Sequence, residues 1–281
     1  MLLSNQELCQ ILEKHIGVLC NSNDLKGIQN YILKSEWFKK YNAEYKSIDA
    51  KRLSTLEQVI DLLKLNFPVQ YAINESDFMG LILYVDTSVL IPRPETEELT
   101  NWVIQEFRNQ SDLKVLDVGC GSGCIAIYLK KRNPNWKVTG LDVSSKALKV
   151  AKLNASGLNV EIDFVLIDFL EVKEFANQDF DIIVSNPPYI SRQESHLMSK
   201  HTLAFEPDIA LFPKGNDPLI FYRKLAEFGH GHLNPKGKIF CEINEFLASE
   251  TEEIFKFYGY VSIQIRSDMQ GKPRMLKAEI N

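Results

Sequence analysis

Residues 114–127 read KVLDVGCGSGCIAI, and this stretch decides the fold of the chain. A short apolar run is followed by glycines at positions 119, 121 and 123, and a second apolar run begins directly after them. Glycines at this spacing permit a tight turn and a close approach of the backbone to a ligand. A buried strand that leads through such a turn into a helix is typical of a doubly wound α/β sheet, in which ligands bind beyond the carboxyl ends of the strands. The stretch therefore predicts a Rossmann-like sheet with a ligand site at this turn.

Four more short apolar runs, each bounded by turn signals, predict further strands that are buried on both faces. They read KVTGLDV, EIDFVLID, FDIIVSN and KIFCEI. Helical patterns occur at residues 144–155 and 217–228, and in the second Asp217 is the expected N-cap with Pro218 in the first turn. The chain ends in two alternating runs separated by QGKP, which predict an antiparallel hairpin. We therefore expect a mostly parallel α/β sheet whose C-terminal strand is antiparallel.

The chain before this sheet has a different pattern, and we predict two smaller units there. Residues 1–66 contain two capping-box sequences, SNQE and STLE, each followed by apolar residues at helical spacing, so we expect a small helical domain. Residues 67–91 carry the strand-like runs FPVQYAI and FMGLILYVDTSVLI, which predict a β-hairpin connector. Residues 92–281 then form the sheet domain, which begins with a helix at PRPETEEL with Pro94 in its first position.

Composition and charge narrow the function classes. The chain has 281 residues, of which 45% are hydrophobic, and its formal net charge of −5 argues weakly against a long nucleic-acid groove. The N-terminal sequence, MLLSNQELCQ, lacks the pattern of a signal peptide, and no window approaches the roughly 20 apolar residues of a membrane helix. The five cysteines are odd in number and scattered, which favours reduced thiols in a cytoplasmic protein.

Two pairs of residues invite a metal-site interpretation that we do not favour. Cys120 and Cys124 have no second pair of ligands at zinc-like spacing. His230 and His232 flank a glycine, and we expect a solvated loop there. The sequence therefore predicts no metal site.

The glycine turn allows more than one interpretation of its ligand. A dinucleotide fingerprint, G-x-G-x-x-G, needs a glycine at position 124, where this chain has Cys124. The G-x-G-x-G form is the one that Rossmann-type methyltransferases use, and it favours S-adenosyl-L-methionine as the cofactor. A turn that merely redirects the chain is the remaining alternative. We predict cofactor contacts along the whole turn, from Gly119, Cys120, Gly121, Ser122 and Gly123.

Residues at the ends of two later strands fit the same cofactor. Asp142 ends the next predicted strand, 19 residues after Gly123, and an acid at this place can accept hydrogen bonds from both hydroxyls of a ribose. Asp168 and Phe169 end the third strand, where the acid can reach an adenine amino group and the ring can pack against the base. A phenylalanine of the ordinary core is the alternative interpretation of Phe169.

The run FDIIV leads into SNPPYI, residues 185–190, a turn that is poor in N–H donors. Each proline fixes φ at about −65° and lacks an N–H, so Pro187 and Pro188 offer carbonyl acceptors without competing donors. Asn186 precedes a proline and is therefore extended, while Tyr189 adds a flat face. Such a turn suits a planar group that bears an N–H₂, and it predicts methylation of an amide or an exocyclic amine. A turn that is only rigid is the alternative.

With these residues in place, the chain resembles the HemK/PrmC-type glutamine methyltransferases, which modify peptide chain release factors. The resemblance covers nearly the whole chain and rests on FPVQYAI, IPRPETEEL, DVGCGSGCIAI, LDVSSKAL, NPPYI, FEPDIALF with GNDPL, and SDMQGKPR. NPPY alone is shared with DNA adenine and ribosomal guanine methyltransferases, whereas PRPETEEL and FEPDIAL are more selective. The resemblance implies a class I methyltransferase fold and methyl transfer from S-adenosylmethionine to the side-chain N5 of the glutamine in the Gly-Gly-Gln loop of class 1 release factors.

The resemblance also implies roles for single residues and for the first domain. The catalytic and substrate-binding residues would be Asn186, Pro187, Pro188 and Tyr189, with Asn186 touching both ligands. The cofactor residues would be Gly119, Gly121, Gly123, Asp142 and Phe169. The helical domain would contact the release factor, and the mouth of the pocket would be shaped by Arg93, Glu95 and Glu97.

The chain departs from the family pattern at three positions. Asn74 and Asn244 stand where glycines are usual, and because asparagine tolerates the left-handed region we expect both turns to survive. Phe169 stands where a tryptophan is common, a change that preserves stacking.

Two other functions fit part of the pattern. A nucleic-acid methyltransferase would flip adenine or guanine into the same pocket and modify adenine N6 or guanine N2. The charge balance and the lack of a basic or aromatic-rich accessory segment count against it, so we expect no direct nucleic-acid substrate. A non-enzymatic nucleotide-binding module leaves NPPY unexplained. The sequence favours a protein-glutamine N5-methyltransferase.

Overall fold

A computed structural model describes residues 3–43, 50–172, 175, 179–215 and 217–280. Within them the helices are α1 (Asn5–Ile16), α2 (Ser22–Lys34), α3 (Glu36–Ala43), α4 (Ala50–Lys64), α5 (Val69–Ile73), α6 (Pro94–Glu106), α7 (Cys124–Arg132), α8 (Ser145–Gly157), α9 (Lys200–Phe205), α10 (Asp208–Leu211), α11 (Ile220–His232) and α12 (Ala248–Phe257). The strands are β1 (Ser76–Phe78), β2 (Leu81–Leu83), β3 (Lys114–Val118), β4 (Lys137–Asp142), β5 (Asp163–Leu166), β6 (Phe180–Ser185), β7 (Leu233–Glu242), β8 (Ser262–Ser267) and β9 (Pro273–Glu279).

The main sheet of the described residues has seven strands in the order β5-β4-β3-β6-β7-β9-β8. The strands from β5 to β7 are parallel to their neighbours, and β9 runs antiparallel to both β7 and β8. The predicted mostly parallel sheet with an antiparallel C-terminal strand is therefore confirmed. Because β4 and β6 lie on opposite sides of β3, the strand order reverses at β3, which is where open α/β sheets bind ligands.

Two apolar cores cover the faces of this sheet. Successive residues of β6 alternate between them, so that Ile182 and Val184 belong to one core and Ile183 to the other. Trp102 of α6 packs in the first core, and Tyr222 of α11 packs in the second. Burial on both faces explains why the central strands read as short, almost continuous apolar runs. The prediction is wrong for the edge strand β5, in which Asp163 and Leu166 are exposed.

The N-terminal helices form a separate apolar core, which includes Leu8, Leu12 and Ile60. The first capping box is confirmed, because the Ser4 side chain accepts from the Glu7 N–H and the Glu7 carboxylate accepts from the Ser4 N–H. The second box does not begin a helix, since α4 starts at Ala50 and already includes STLE. The preceding AKRL contains good helix formers, which extend the helix beyond the local signal.

The interpretation of FPVQYAI as a strand is wrong. Its residues form the short helix α5, which Asn74 ends in the left-handed conformation with φ 54°. Tyr71 is buried, and its hydroxyl donates to the carbonyl of Val89. The short apolar run resembled a strand, but the structure buries the consecutive residues Tyr71, Ala72 and Ile73 by packing them into two different apolar clusters around a short helix. The hairpin itself is present but shorter, formed by β1 and β2. The division at residues 66 and 91 stays a prediction.

The start of α11 also differs from the expectation. The helix begins at Ile220, and the Asp217 carboxylate accepts from the Leu219 N–H in the turn before it. His230 and His232 therefore lie in the last helical turn and not in a loop. By contrast, α6 has Pro94 in its first position as predicted.

Among the described helices, none combines the length and the apolar character that crossing a membrane requires. All five cysteines are free. Within the described ranges, no group of three or more His, Cys, Asp or Glu side chains is arranged to hold a metal ion.

Candidate active site

A pocket opens at the carboxyl ends of β3, β4 and β6, where the strand order reverses. Eight of the predicted site residues line it, namely Gly119, Cys120, Gly121, Ser122, Asp142, Phe169, Asn186 and Pro188. The other three predicted residues, Gly123, Pro187 and Tyr189, are not among the lining residues. The pocket thus brings the glycine turn and the NPP turn together from two neighbouring strands.

The glycine turn is held by backbone hydrogen bonds. The N–H groups of Gly119 and Cys120 both donate to the carbonyl of Leu141, at 2.9 and 2.8 Å. All three glycines have positive φ, with 72° at Gly119, 55° at Gly121 and 81° at Gly123. Residues other than glycine are disfavoured at positive φ.

The glycines differ in what surrounds them. A Cβ on Gly119 would meet nothing within 4 Å, and one on Gly121 would meet only the Gly119 carbonyl at 4.0 Å, so this backbone borders open space. A Cβ on Gly123 would lie 3.0 Å from Ile127 and 3.2 Å from Ala151. The first two glycines therefore leave room for a ligand, whereas Gly123 permits close packing of α7 and α8.

Asp142 stands at the end of β4 and faces the glycine turn. Its carboxylate accepts from the Gly121 N–H at 2.9 Å and from the Ser144 N–H at 2.8 Å. Burial raises the pKa of Asp142, and the backbone N–H groups of Ser144 and Gly121 partly oppose that effect. Because each carboxylate oxygen offers two acceptor sites, further capacity remains for ligand hydroxyls.

Asp117 is a second acidic residue at this turn, and the sequence analysis gave it no role. It is fully buried, and one carboxylate oxygen accepts from the Ala126 N–H at 3.1 Å. The other oxygen, Oδ1, has no hydrogen-bond partner among the described residues. Burial raises the pKa of Asp117 to about 7. Asp117 is not among the residues that line the pocket, but the next two residues, Val118 and Gly119, are, so a buried acceptor without a partner stands directly beside the pocket.

Asp168 and Phe169 follow β5. The Asp168 carboxylate accepts from Lys214 at 2.6 Å and from the Leu170 N–H at 3.2 Å. The Phe169 ring is 5% exposed and meets Phe228 edge to face, with ring centroids 5.2 Å apart. Phe169 therefore belongs to the core and also borders the pocket.

The NPP turn leaves the sheet at the same level as the glycine turn. Val118 and Ser185 are register partners in β3 and β6, so Gly119 and Asn186 follow them on adjacent strands. The Ser185 hydroxyl donates to the Val118 carbonyl at 2.7 Å and fixes this alignment. Neighbouring strands lie about 4.8 Å apart, so ligands at the two turns would be close to each other.

The Asn186 side chain is held by a threonine from a distant helix. Its Nδ2 donates to the Thr96 hydroxyl at 3.0 Å, and the Thr96 hydroxyl donates to the Glu242 carboxylate. Thr96 also lines the pocket, and both Thr96 and Glu242 are 2% exposed. Burial raises the pKa of Glu242 to about 7, although hydrogen bonds from Thr96 and Tyr189 oppose the effect.

Tyr189 directs its hydroxyl into the protein. The hydroxyl donates to the second oxygen of Glu242 at 3.1 Å, and Arg274 donates to it at 3.5 Å. Burial, followed by the negative charge of Glu242, raises the pKa of Tyr189. Arg274 is itself held by Asp268 at 3.1 Å. Asp268 and Arg274, which belong to SDMQGKPR, therefore help to hold the Tyr189 hydroxyl in place.

Asn244 anchors the same turn, but not in the way we expected. Its φ is not positive, so the predicted left-handed turn is absent at this position. The side-chain Nδ2 instead donates to the Tyr189 carbonyl at 3.2 Å and to Glu194 at 2.9 Å. The amide side chain, which glycine lacks, ties the NPPY turn to the end of β7.

The sequences PRPETEEL and FEPDIALF meet at the mouth of the pocket. Arg93 lines the pocket and forms an ion pair with the buried Glu206, which also accepts from the Ile91 N–H at 3.4 Å. Glu97 accepts from the Met79 N–H at 2.8 Å and so faces the β1–β2 turn. Arg93, which precedes α6, and Thr96, which lies within it, border the pocket, whereas Glu95 and Glu97 do not.

Besides Asp117, the sequence analysis also missed Thr96 and Glu242, which lie at or behind the pocket. Glu242 ends β7 in the same way that Asp142 ends β4, and an acid at the end of a buried strand was the available signal. Thr96 carried no such signal, because it lies between two glutamates to which the resemblance had already given the role at the mouth of the pocket.

Comparisons with known proteins identify relatives of this chain. The family model described as "Methyltransferase small domain" matches residues 95–228. A release factor glutamine methyltransferase from Flavobacterium psychrophilum is 43% identical over 82% of this chain and 81% of its own length. Another, from Bacteroides thetaiotaomicron, is 38% identical over 82% of each chain.

A solved structure of a methyltransferase from Pyrococcus furiosus has a TM-score of 0.53 at 18% identity, and the match covers 82% of this chain and 98% of that chain. Such a likeness supports the class I methyltransferase fold alone. The sequence relatives go further, because their similarity extends over most of both chains. The resemblance found in the motifs is confirmed, and this chain belongs to the release factor glutamine methyltransferase family.

Proposed function

We propose that this protein transfers a methyl group from S-adenosyl-L-methionine to the side-chain N5 of the glutamine in the Gly-Gly-Gln motif of class 1 peptide chain release factors. One observation carries the proposal beyond family membership. A turn with the composition of a cofactor site and a turn rich in amide acceptors follow register partners on adjacent strands and line one pocket. A donor and an acceptor bound at these turns would therefore meet.

The residues around the glycine turn fit S-adenosylmethionine. The open space beside Gly119 and Gly121 admits a ligand against the backbone. Asp142 would accept the ribose hydroxyls, Phe169 would pack against the adenine, and the unpartnered oxygen of Asp117 suits the ammonium of the methionine part. When bound, S-adenosylmethionine supplies an electrophilic methyl group, which the glutamine nitrogen takes up as the methyl–sulfur bond breaks.

The NPP turn would orient the glutamine amide. The lone pair of an amide nitrogen is delocalised, as the barrier of about 18–20 kcal/mol to peptide rotation indicates. Asn186 and the proline carbonyls would accept the two N–H bonds and leave the lone pair directed at the donor. Each such hydrogen bond is worth about 1 kcal/mol net, and the alignment of the two reactants contributes more. No side chain has to remove a proton first, because the nitrogen becomes acidic only once it is alkylated, and the alkylated amide would then release one N–H proton to water.

The helical region α1–α4 would supply contacts to the release factor, and the protein would act in the cytoplasm, where its partner terminates translation. The names of the sequence relatives support this choice of substrate over a nucleic acid. The net charge of −5 supports it as well.

The experiment presents the purified protein with donor labelled in its methyl group and with three acceptors. These are a class 1 release factor, the same factor with its Gly-Gly-Gln glutamine replaced by asparagine, and RNA and DNA oligonucleotides. We expect label in the first acceptor alone, and mass spectrometry of its tryptic peptides should locate one added methyl on that glutamine. Label in an oligonucleotide and none in the release factor would instead establish an exocyclic-amine methyltransferase.

A further inference from the structure

The Asn186 side chain lines the pocket and is also the first member of a series of buried hydrogen bonds. Asn186 donates to Thr96, Thr96 donates to Glu242, and Tyr189 donates to the other carboxylate oxygen. Glu242 does not line the pocket and both of its carboxylate oxygens already have partners, so we place it behind the site and not against a ligand. One carboxylate thus contacts the last residue of NPPY directly and the first residue through Thr96.

The charge of Glu242 decides which group donates and which accepts in each of these hydrogen bonds. An ionised carboxylate only accepts, so the single hydroxyl hydrogen of Thr96 is committed to Glu242. The Thr96 oxygen can then only accept from Asn186. Of the two ends of the Asn186 carboxamide, only Nδ2 donates, so Nδ2 turns to Thr96 and the carbonyl oxygen Oδ1 turns the other way.

We propose that Glu242 is a positioning residue that acts through Thr96 to fix the direction of the Asn186 carboxamide, so that the oxygen and not the N–H₂ faces the methyl acceptor. The inference rests on the proposed function, which requires an acceptor for the N–H bonds of the substrate. A reversed carboxamide would present its own N–H₂ to the substrate N–H₂ and would exclude the productive pose.

The direction of the Asn186 carboxamide depends on the charge of Glu242. A protonated Glu242 can donate to Thr96, which is then free to donate to Oδ1 of Asn186 and to reverse the carboxamide. Burial brings the pKa of Glu242 to about 7, so this change occurs near neutral pH. Six elements or their ends contribute the titratable and charged groups that act on Glu242 or on which it acts. These groups are Glu95, Cys124, Tyr189, Tyr222, Cys241 and Arg274.

Substitutions of Thr96 test this relay, the hydrogen bonds that run from Asn186 through Thr96 to Glu242. Thr96→Val keeps the shape and removes the hydroxyl, and we expect kcat to fall about tenfold, the effect of one hydrogen bond of about 1.4 kcal/mol. Thr96→Ser keeps the hydroxyl and should restore most of the rate. Thr251→Val is the matched control, because Thr251 is also buried and its hydroxyl donates within α12, away from the pocket.

A purely structural role for Thr96 predicts a different result in a second background. In Asn186→Ala, the relay has nothing to orient, so Thr96→Val should lower kcat no further. An equal loss in both backgrounds would overturn the proposal, since loosening of the fold would act whether or not Asn186 is present.

Glu242→Gln tests the charge. A glutamine side chain does not ionise, so the ratio of wild-type to variant kcat at saturating donor should rise about fivefold between about pH 6 and about pH 8, since most of a tenfold loss is titrated in that window. Asp117 titrates in the same range, but it is present in both proteins and cancels in the ratio. A ratio that is constant with pH would overturn the role of the carboxylate.

A measurement without substrate separates this inference from the proposed function. In an NMR spectrum of side-chain amides, the Asn186 N–H₂ signal, identified by its loss in Asn186→Ala, should be protected from exchange in wild type. It should lose protection in Thr96→Val and keep it in Thr96→Ser. If these changes occur but no release factor is methylated, the relay stands and the substrate is wrong; if the signal is unaffected by Thr96→Val, the relay is wrong whatever the substrate.

Discussion

The two turns that border the pocket follow neighbouring strands, yet they are held in different ways. The glycine turn after β3 is shaped by its own backbone, with N–H groups that donate to Leu141 and to the Asp142 carboxylate at the end of the adjacent strand. The NPPY turn after β6 is shaped by side chains that come from the helix α6 and from the region around β7 and β9. The first turn is held within one strand–helix–strand unit, whereas the second depends on residues that are 53 to 90 positions away in the sequence.

The difference follows from what each turn must present. A glycine turn offers space and backbone to its ligand, and glycine supplies both at any place where positive φ is required. The NPPY turn has to present one particular end of an amide side chain, and a freely rotating carboxamide has no such preference. Its direction must be set by partners, which is why buried polar residues gather behind it.

The largest effect is expected at the NPPY turn itself. Asn186→Ala removes the oriented acceptor and should lower kcat about 100-fold or more, by analogy with the loss of one oriented group from an oxyanion hole. Stability should change little, since Asn186 is only partly buried. Steady-state kinetics with thermal denaturation measure both quantities. Asn101→Ala, an exposed asparagine on α6, is the matched control, and a normal rate in Asn186→Ala would refute the orientation role.

The corresponding change at the glycine turn should act on donor affinity. Asp142→Ala removes the expected acceptors of the ribose hydroxyls and also leaves the Gly121 and Ser144 N–H groups without their partner. We expect donor binding to weaken by about 30-fold, equivalent to two hydrogen bonds of about 1 kcal/mol each. Isothermal titration calorimetry with the donor checks this, and an unchanged affinity in a folded variant would remove Asp142 from the cofactor site.

The same difference explains which residues of the site could be predicted from the sequence. The glycine turn, the acid at the end of β4 and the NPPY turn were all predictable, because each is encoded within a few residues. Thr96 and Glu242 were not, because the Asn186–Thr96 bond spans 90 residues and the Thr96–Glu242 bond spans 146. No local pattern encodes such a pair.

The same distinction holds for the fold. The positions of the strands and the terminal hairpin were correct because their periodicity is a property of neighbouring residues, although the edge strand β5 is not buried on both faces as predicted. FPVQYAI became a helix because of what packs against it, including the hydrogen bond from Tyr71 to Val89. Tertiary contacts override weak local preference in a segment this short.

Within the glycine turn, two glycines should respond differently to the same substitution. Gly119→Ala and Gly123→Ala both place a side chain at positive φ, which costs about 1–2 kcal/mol. Gly123→Ala adds a clash with Ile127 and Ala151, so its melting temperature should fall further. Gly119→Ala instead places a methyl group in the pocket and should weaken donor affinity about tenfold. Equal melting temperatures would contradict the assignment of Gly123 to helix packing.

The smallest effect concerns the buried carboxylate of the glycine turn and appears in stability. The pKa of Asp117 is raised from 3.8 to about 7 in the folded protein, so between these values the folded state binds more protons than the unfolded state. Stability therefore decreases as pH rises through this window, and the decrease is complete above about pH 7. Asp117→Asn does not titrate and escapes this loss. Its melting temperature relative to wild type should rise by several degrees between about pH 5 and about pH 8, measured without ligand.

Glu242→Gln should show a similar rise, because burial also raises the pKa of Glu242 to about 7. The two variants diverge once donor is added. The unpartnered Asp117 oxygen is expected to accept from the ligand, so saturating donor should stabilise wild type more than Asp117→Asn and reduce the difference at about pH 8. Glu242 already has partners for both oxygens, so donor should leave the Glu242→Gln difference unchanged. The same donor effect on both variants would mean that the two carboxylates do not serve separate turns.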